Sequence, residues 1–284
     1  MGDFMQISKS VNFLNMSDIV VKYYDVEHEP GDNHIQRYND YKITIHLSDG
    51  LVGVLNAQML GGKKGDILLY APDEIHFGRF LSSGVYRYLH FLIPIDLCNK
   101  LSASYPSLKN TFDSSKPNRI NCIRGMGKYK DTILSICENI VENLKKDRSE
   151  DFNIISDIMQ ILSICAQLYE NQDDNESIES FTSYTRFAMK YMNEHYSEKI
   201  TIDEIAKKAG CSTTYLSKIF KKDTDKSIYT YLTEYRISKS TILLKKGFNV
   251  TETCYAVGFG DCSSFIRTFK KAIGVSPHKY KNLN

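Results

Sequence analysis

Apolar residues recur at two different spacings along this chain, and the change between them divides it. Early on, the runs 18–28, 41–47, 51–55, 66–70 and 86–93 are short and β-rich. Turn signals separate them: Glu29-Pro30-Gly31-Asp32, Ser48-Asp49-Gly50, Gly61-Gly62 and Ala71-Pro72-Asp73. Short strands at regular turns predict a small barrel or jelly roll. From residue 129 the period lengthens to that of a helix. Ile133, Ile136, Cys137, Ile140, Val141 and Leu144 form one stripe over 129–145, and Ile154, Ile155, Ile158, Ile161, Leu162, Cys165 and Leu168 a wider one over 151–169. The second stripe is wider than packing on a small barrel needs, so it predicts either self-association or burial against the barrel.

The last hundred residues keep the helical period but punctuate it. Residues 181–196 read as an amphipathic helix through Phe187, Ala188, Tyr191 and Met192. Thr201 with Glu204 reads as a capping box, Ile202, Ile205, Ala206 and Ala209 as an inward stripe, and Gly210 as the stop. Ser212 caps the next helix, in which Leu216, Ile219 and Phe220 turn inward. Thr213, Thr214, Ser217, Lys218 and Lys221 are left on the outer side. Residues 227–246 hold helical spacing with no Pro or internal Gly, a rod of roughly 30 Å. A second short helix, Gly-centred turn and helix then follow from Val250 to Lys271, with Phe259 and Phe265 as core. Two helix-turn-helix patterns in tandem place polar and basic faces where they can enter a DNA major groove.

Net charge becomes informative only once the chain is divided. The whole chain is +2, but from Phe181 onward 18 Lys and Arg face 9 Asp and Glu, giving +9, while the first 180 residues carry −7. A basic C-terminal third is the footprint needed to neutralise phosphates. The 284 residues suffice for two cores. No run of about 18 apolar residues predicts a membrane span, and the N-terminus has no signal pattern. Seven cysteines, at 98, 122, 137, 165, 211, 254 and 262, are odd in number and scattered, which suits reduced thiols in a cytoplasmic protein.

Two stretches resemble the AraC/XylS transcription regulators. One begins at Ile202 and runs through Ile205-Ala206, Ala209-Gly210-Cys211-Ser212, Tyr215-Leu216-Ser217-Lys218 and Phe220-Lys221-Lys222. The other is Ala256-Val257-Gly258-Phe259-Gly260-Asp261 with Ser263, Phe265, Arg267, Phe269-Lys270-Lys271, Gly274-Val275-Ser276-Pro277 and Tyr280. The resemblance covers about 181–284. It implies two subdomains joined by the long helix, each inserting one recognition helix into double-stranded DNA. Base reading then falls to Thr214, Ser217 and Lys218 in the first and to Cys262, Ser263, Ile266 and Arg267 in the second. Lys221, Lys222, Lys270 and Lys271 become phosphate contacts. Cys262 and Ile266 stand where members often carry Gln or Arg, so the second half is expected to read less sequence. RNA polymerase and a second copy of the chain are the implied protein partners.

The piece from Gly65-Asp66 to Pro72 and His76 resembles the cupin sensor barrel in front of many such regulators, over roughly 18–95. Cupin enzymes hold metals, and His28, His34, His46, His76 and His90 are the candidates. With no His-x-His pair, and a lysine in Asp40-Tyr41-Lys42 to repel a cation, neither metal, cofactor nor catalysis is expected. Tyr24, Arg37, Tyr41, His76, Tyr86, Tyr88 and His90 instead suit a pocket for a sugar or other polar metabolite. Alternation along β-structure sets Tyr86, Tyr88 and His90 on one face.

The expected fold is α+β and multidomain. It comprises a cupin-like β-barrel at 1–125, a helical dimerisation segment at 126–171, a linker at 172–180, and an all-α domain of two helix-turn-helix subdomains at 181–284. The expected function is a ligand-responsive, sequence-specific regulator. The rivals are a ligand-independent dimeric regulator and a cupin metalloenzyme with a DNA-binding appendage.

Overall fold

The computed structural model describes residues 5–13, 17–30, 35–55, 57–105, 107–108, 111, 122–123, 129–146, 152–170 and 181–282; His34 and the expected linker lie outside them. Among the described residues nine strands come first, with one helix between the last two: β1 (Met5–Phe13), β2 (Ser17–His28), β3 (Tyr41–His46), β4 (Leu51–Leu55), β5 (Gln58–Leu60), β6 (Ile67–Tyr70), β7 (His76–Phe80), β8 (Gly84–Ile93) and β9 (Cys122–Ile123). The helices among the described residues are α1 (Ile95–Ser104), α2 (Lys130–Lys145), α3 (Phe152–Glu170), α4 (Ser183–His195), α5 (Ile202–Ala209), α6 (Thr213–Thr224), α7 (Ile228–Lys245), α8 (Val250–Ala256), α9 (Cys262–Ile273) and α10 (Pro277–Asn282).

The strands form an antiparallel six-stranded sheet, ordered β1-β2-β8-β3-β6-β9, and an antiparallel three-stranded one, β5-β4-β7. The expected barrel or jelly roll is thus two sheets that do not close into one. β1, which the sequence pattern did not predict, pairs along the outer edge of β2 from Met5↔Asp25 to Phe13↔Ser17.

Alternation gives the larger sheet two different faces. Ile43, Ile45, Ile67, Leu69, Leu89 and Phe91 point one way, into a core shared with Ile133, Ile140, Ile154, Ile158 and Ile161 of α2 and α3. The wide stripe on α3 is therefore largely taken up by α2 and the sheet. By length and mean hydropathy, 1.2 over Phe152–Tyr169, this helix meets the minimum for a membrane span. Its burial in that core is an ordinary use of the same composition.

In the C-terminal domain the caps form largely as the sequence predicts. Thr201 accepts from the Glu204 N–H, Ser212 from the Tyr215 N–H and Ser227 from the Thr230 N–H. The box at Thr201 is only half formed, because the Glu204 carboxylate accepts from the Tyr191 hydroxyl at 2.7 Å. A complete capping box appears instead at Asn249 and Glu252. Helix α7 joins two cores. Ile228, Tyr231 and Leu232 pack with Leu216 and Phe220, while Ile237 and Leu244 pack with Cys254, Phe265 and Phe269.

Candidate nucleic-acid interface and inter-sheet pocket

Each helix-turn-helix presents its second helix by burying one side of it. Leu216 and Phe220 are fully buried on α6, which turns Thr214, Lys218, Lys221 and Lys222 to solvent and leaves Ser217 half-buried. On α9, Phe265 and Phe269 are the inward pair. Ser263, Ile266, Arg267, Lys270 and Lys271 are exposed beside a half-buried Cys262. The predicted base and phosphate contacts thus share the outward faces of two helices. Exposed Tyr215, standing edge-on to Tyr184 at 5.4 Å, was not among the candidates.

The turns hold these helices in place. Gly210 ends α5 at φ +74°. Gly258 sits at φ +84° against Arg236, and a Cβ there would lie 2.6 Å from the Tyr196 carbonyl oxygen. The Arg236 guanidinium donates to the carbonyls of Tyr196 and Glu198, each at 2.7 Å, tying the second subdomain to the segment after α4. At the start of α9 the Asp261 carboxylate accepts the N–H groups of Ser263 and Ser264, at 2.9 and 3.2 Å.

Between the two sheets lies a cavity of about 250 Å³. Tyr24, Val26 and His28 of β2, Lys42, Thr44 and His46 of β3, Tyr88 and His90 of β8, and His76, Gly78 and Phe80 of β7 line it. Of the predicted ligand residues, Tyr24, His76, Tyr88 and His90 are in its wall. Tyr24 and Tyr88 stack at 4.6 Å, and each ring lies 5.0 Å from that of His90. Arg37, Tyr41 and Tyr86 are not in the wall. Arg37 reaches Thr241 at 3.1 Å and pairs with Asp73; Tyr41 packs on the helical core; Tyr86 packs with Leu51 and Phe80 and donates to the Ser82 carbonyl.

Four of the five candidate histidines converge here, yet among the described residues no three His, Cys, Asp or Glu groups are placed to hold a metal. Lys42 occupies the centre instead. Its ammonium donates at 3.1 Å to Gln36 Oε1 and at 3.1 Å to His76 Nε2, and lies over the Tyr38 and Tyr70 rings at 4.7 and 5.3 Å. His76 Nδ1–H donates to the Glu74 carbonyl at 3.0 Å, which leaves Nε2 free to accept from Lys42. Burial, with Lys22 nearby, pushes Lys42 well below the usual lysine range. Burial, then the Lys42 charge, pushes His76 and His90 well below the ordinary imidazole range. Burial lowers His46 to about 4 against the opposing pull of Asp66.

The smaller sheet joins this pocket to the DNA-binding half. On β7, Phe77 packs edge-on against Tyr231 of α7 at 6.3 Å. Arg79 Nε donates to the Asp225 carboxylate at 3.0 Å, and its guanidinium also reaches the Lys222 carbonyl at 3.3 Å. Asp225 is the C-terminal cap of α6.

A family model described as a helix-turn-helix domain matches residues 205–282. Two relatives are each 37% identical to this chain: the HTH-type transcriptional regulator YdeC of Bacillus subtilis over 113 residues, and an HTH-type transcriptional regulator in the cgkA 5' region of Pseudoalteromonas carrageenovora over 125. The first match covers 39% of this chain and 38% of the relative, the second 41% and 74%. The Msm operon regulatory protein of Streptococcus mutans is 30% identical over 129 residues, 45% of this chain and 46% of the relative. The chain therefore spans less than half the length of two of these three relatives.

Proposed function

The chain belongs to the AraC/XylS family of DNA-binding transcription regulators, and from that premise we propose that a small polar ligand between its two sheets governs how it engages DNA. The ligand is a sugar or related metabolite, and the working form is a cytoplasmic homodimer that meets RNA polymerase at its operator. In this reading α6 and α9 read bases in successive major-groove segments. Thr214, Ser217 and Lys218 act in the first, and Cys262, Ser263, Ile266 and Arg267 in the second. Lys221, Lys222, Lys270 and Lys271 fix register on the phosphates.

The observation that carries ligand control is the two-sidedness of β7. His76, Gly78 and Phe80 line the pocket, while the intervening Phe77 and Arg79 lie on the DNA-binding half, Arg79 on the cap of the first recognition helix. A ligand that prefers one placement of this strand biases where α6 sits, and its differential affinity sets the size of the effect. A thermal-shift screen of the full-length protein against a metabolite panel tests the reading. A true ligand at a hundred times its Kd adds about 2.7 kcal/mol and also changes operator affinity. Stabilisation without any change in DNA binding would leave the pocket occupied but unconnected to control.

A further inference from the structure

Resting on the reading that the pocket takes a small ligand, we propose that this ligand is an anionic sugar derivative, a hydroxylated molecule bearing one carboxylate or phosphate group that seats on Lys42. The wall of the cavity contains one ammonium and four imidazoles but no Asp or Glu among the described residues. Lys42 is 3% exposed, and its two hydrogen bonds go to neutral acceptors, Gln36 and His76. An ammonium has three donors, so one is left for the cavity. A buried cation without a counter-charge is costly, and an anion arriving beside it repairs that cost.

The surrounding polar atoms fit the same guest. Thr44 Oγ1, both ring nitrogens of His46, and His90 Nδ1 are buried without a hydrogen-bond partner. Lys42, Thr44 and His46 alternate along β3 into the cavity, and Thr44 pairs across the ladder with His90. They make a row of unmet donors and acceptors leading away from the ammonium, suited to hydroxyl groups. The stacked Tyr24 and Tyr88 rings give a flat apolar flank of the kind that accommodates a sugar face. Asp66 and Asp49 approach His46 but do not line the cavity, and the Asp66 carboxylate already accepts the Lys63 N–H at 3.1 Å.

The test uses full-length protein with glucose 6-phosphate, glucuronate and glucose, read by thermal shift and calorimetry at fixed ionic strength. The expected result is stabilisation by one of the two charged probes and none by glucose, the responding probe telling phosphate from carboxylate. Lys42→Met should weaken that binding at least about thirtyfold. It leaves the basic DNA-binding face intact, so adventitious binding there would survive the substitution. With Lys42 buried and easily deprotonated when the pocket is empty, anion binding should take up a proton, seen as a binding enthalpy that differs between Hepes and Tris. Should Lys42→Met not fold, His90→Gln is the second variant, expected to weaken the same probe severalfold. Equal binding of glucose and its charged derivatives, or binding that persists in Lys42→Met, overturns the charge assignment while the pocket reading stands. A flat response to all three probes also overturns it, and the wider metabolite screen then decides separately whether the pocket binds a ligand at all.

Discussion

Single side chains carry three separable consequences. Lys218 and Lys271 are both exposed on outward helical faces, but the roles proposed for them differ. Lys218→Ala should relax base preference in one half-site only. Lys271→Ala should weaken all sequences alike and reduce the salt slope by about one, both measurable by binding titrations on variant duplexes. Gly258→Ala places a Cβ against the Tyr196 carbonyl at positive φ, so thermal melts should show a loss of roughly 1–3 kcal/mol. His46 titrates at about 4 when folded and near 6.5 when unfolded. The unfolded chain binds its proton first as pH falls, so stability is full above about 6.5 and declines toward 4 by about 1.4 kcal/mol per unit. His46→Gln should make the decline shallower by about that amount in melts taken between pH 7.5 and 4.5, with buried His76 and His90 keeping the remainder. The outward residues of α6 and α9 were legible because a 3.6-residue period with Leu216, Phe220, Phe265 and Phe269 inward leaves little choice for the rest. Lys42, Thr44 and His46 were not singled out as ligand groups. Alternation with Ile43 and Ile45 puts them on the other face of β3, but pattern alone cannot say whether that face meets water or a second sheet.

Among the elements, β7 was the most consequential omission from the sequence reading. His76-Phe77-Gly78-Arg79-Phe80 has an apolar side chain on each face and a glycine between, because both faces are covered, so the period-two signature of a half-buried strand is blurred. Arg79, on the face of β7 away from the pocket, points to the cap of α6. Arg79→Ala should change melting by no more than about 1 kcal/mol, as for a partly exposed ion pair. In the wild type a ligand should alter operator affinity by about 5–150-fold, and in the variant that ratio should fall toward one. An unchanged ratio in gel-shift titrations with and without ligand would remove β7 from the coupling. Helix α7, by contrast, was readable nearly to its ends, since 18 residues without glycine or proline have few alternatives.

At the level of the whole molecule, the charge division and the two periodicities marked out a β-rich half and a DNA-binding half. The way the halves touch was not readable, because it depends on Arg37, Arg79 and Phe77 meeting residues some 150 to 200 positions away. The two-sheet form of the β-rich half depends likewise on β2 and β3 pairing with β8, some 40 to 70 positions away. The proposal that unites the halves is tandem reading of DNA by α6 and α9, held apart by an α7 rod of about 27 Å. Selection of bound sequences from a randomised duplex pool, with full-length protein at fixed salt, puts that arrangement to trial. Two short preferred motifs about one helical turn apart, the one facing α9 less sharply defined, are the predicted outcome. Binding that is salt-sensitive but blind to sequence would contradict it.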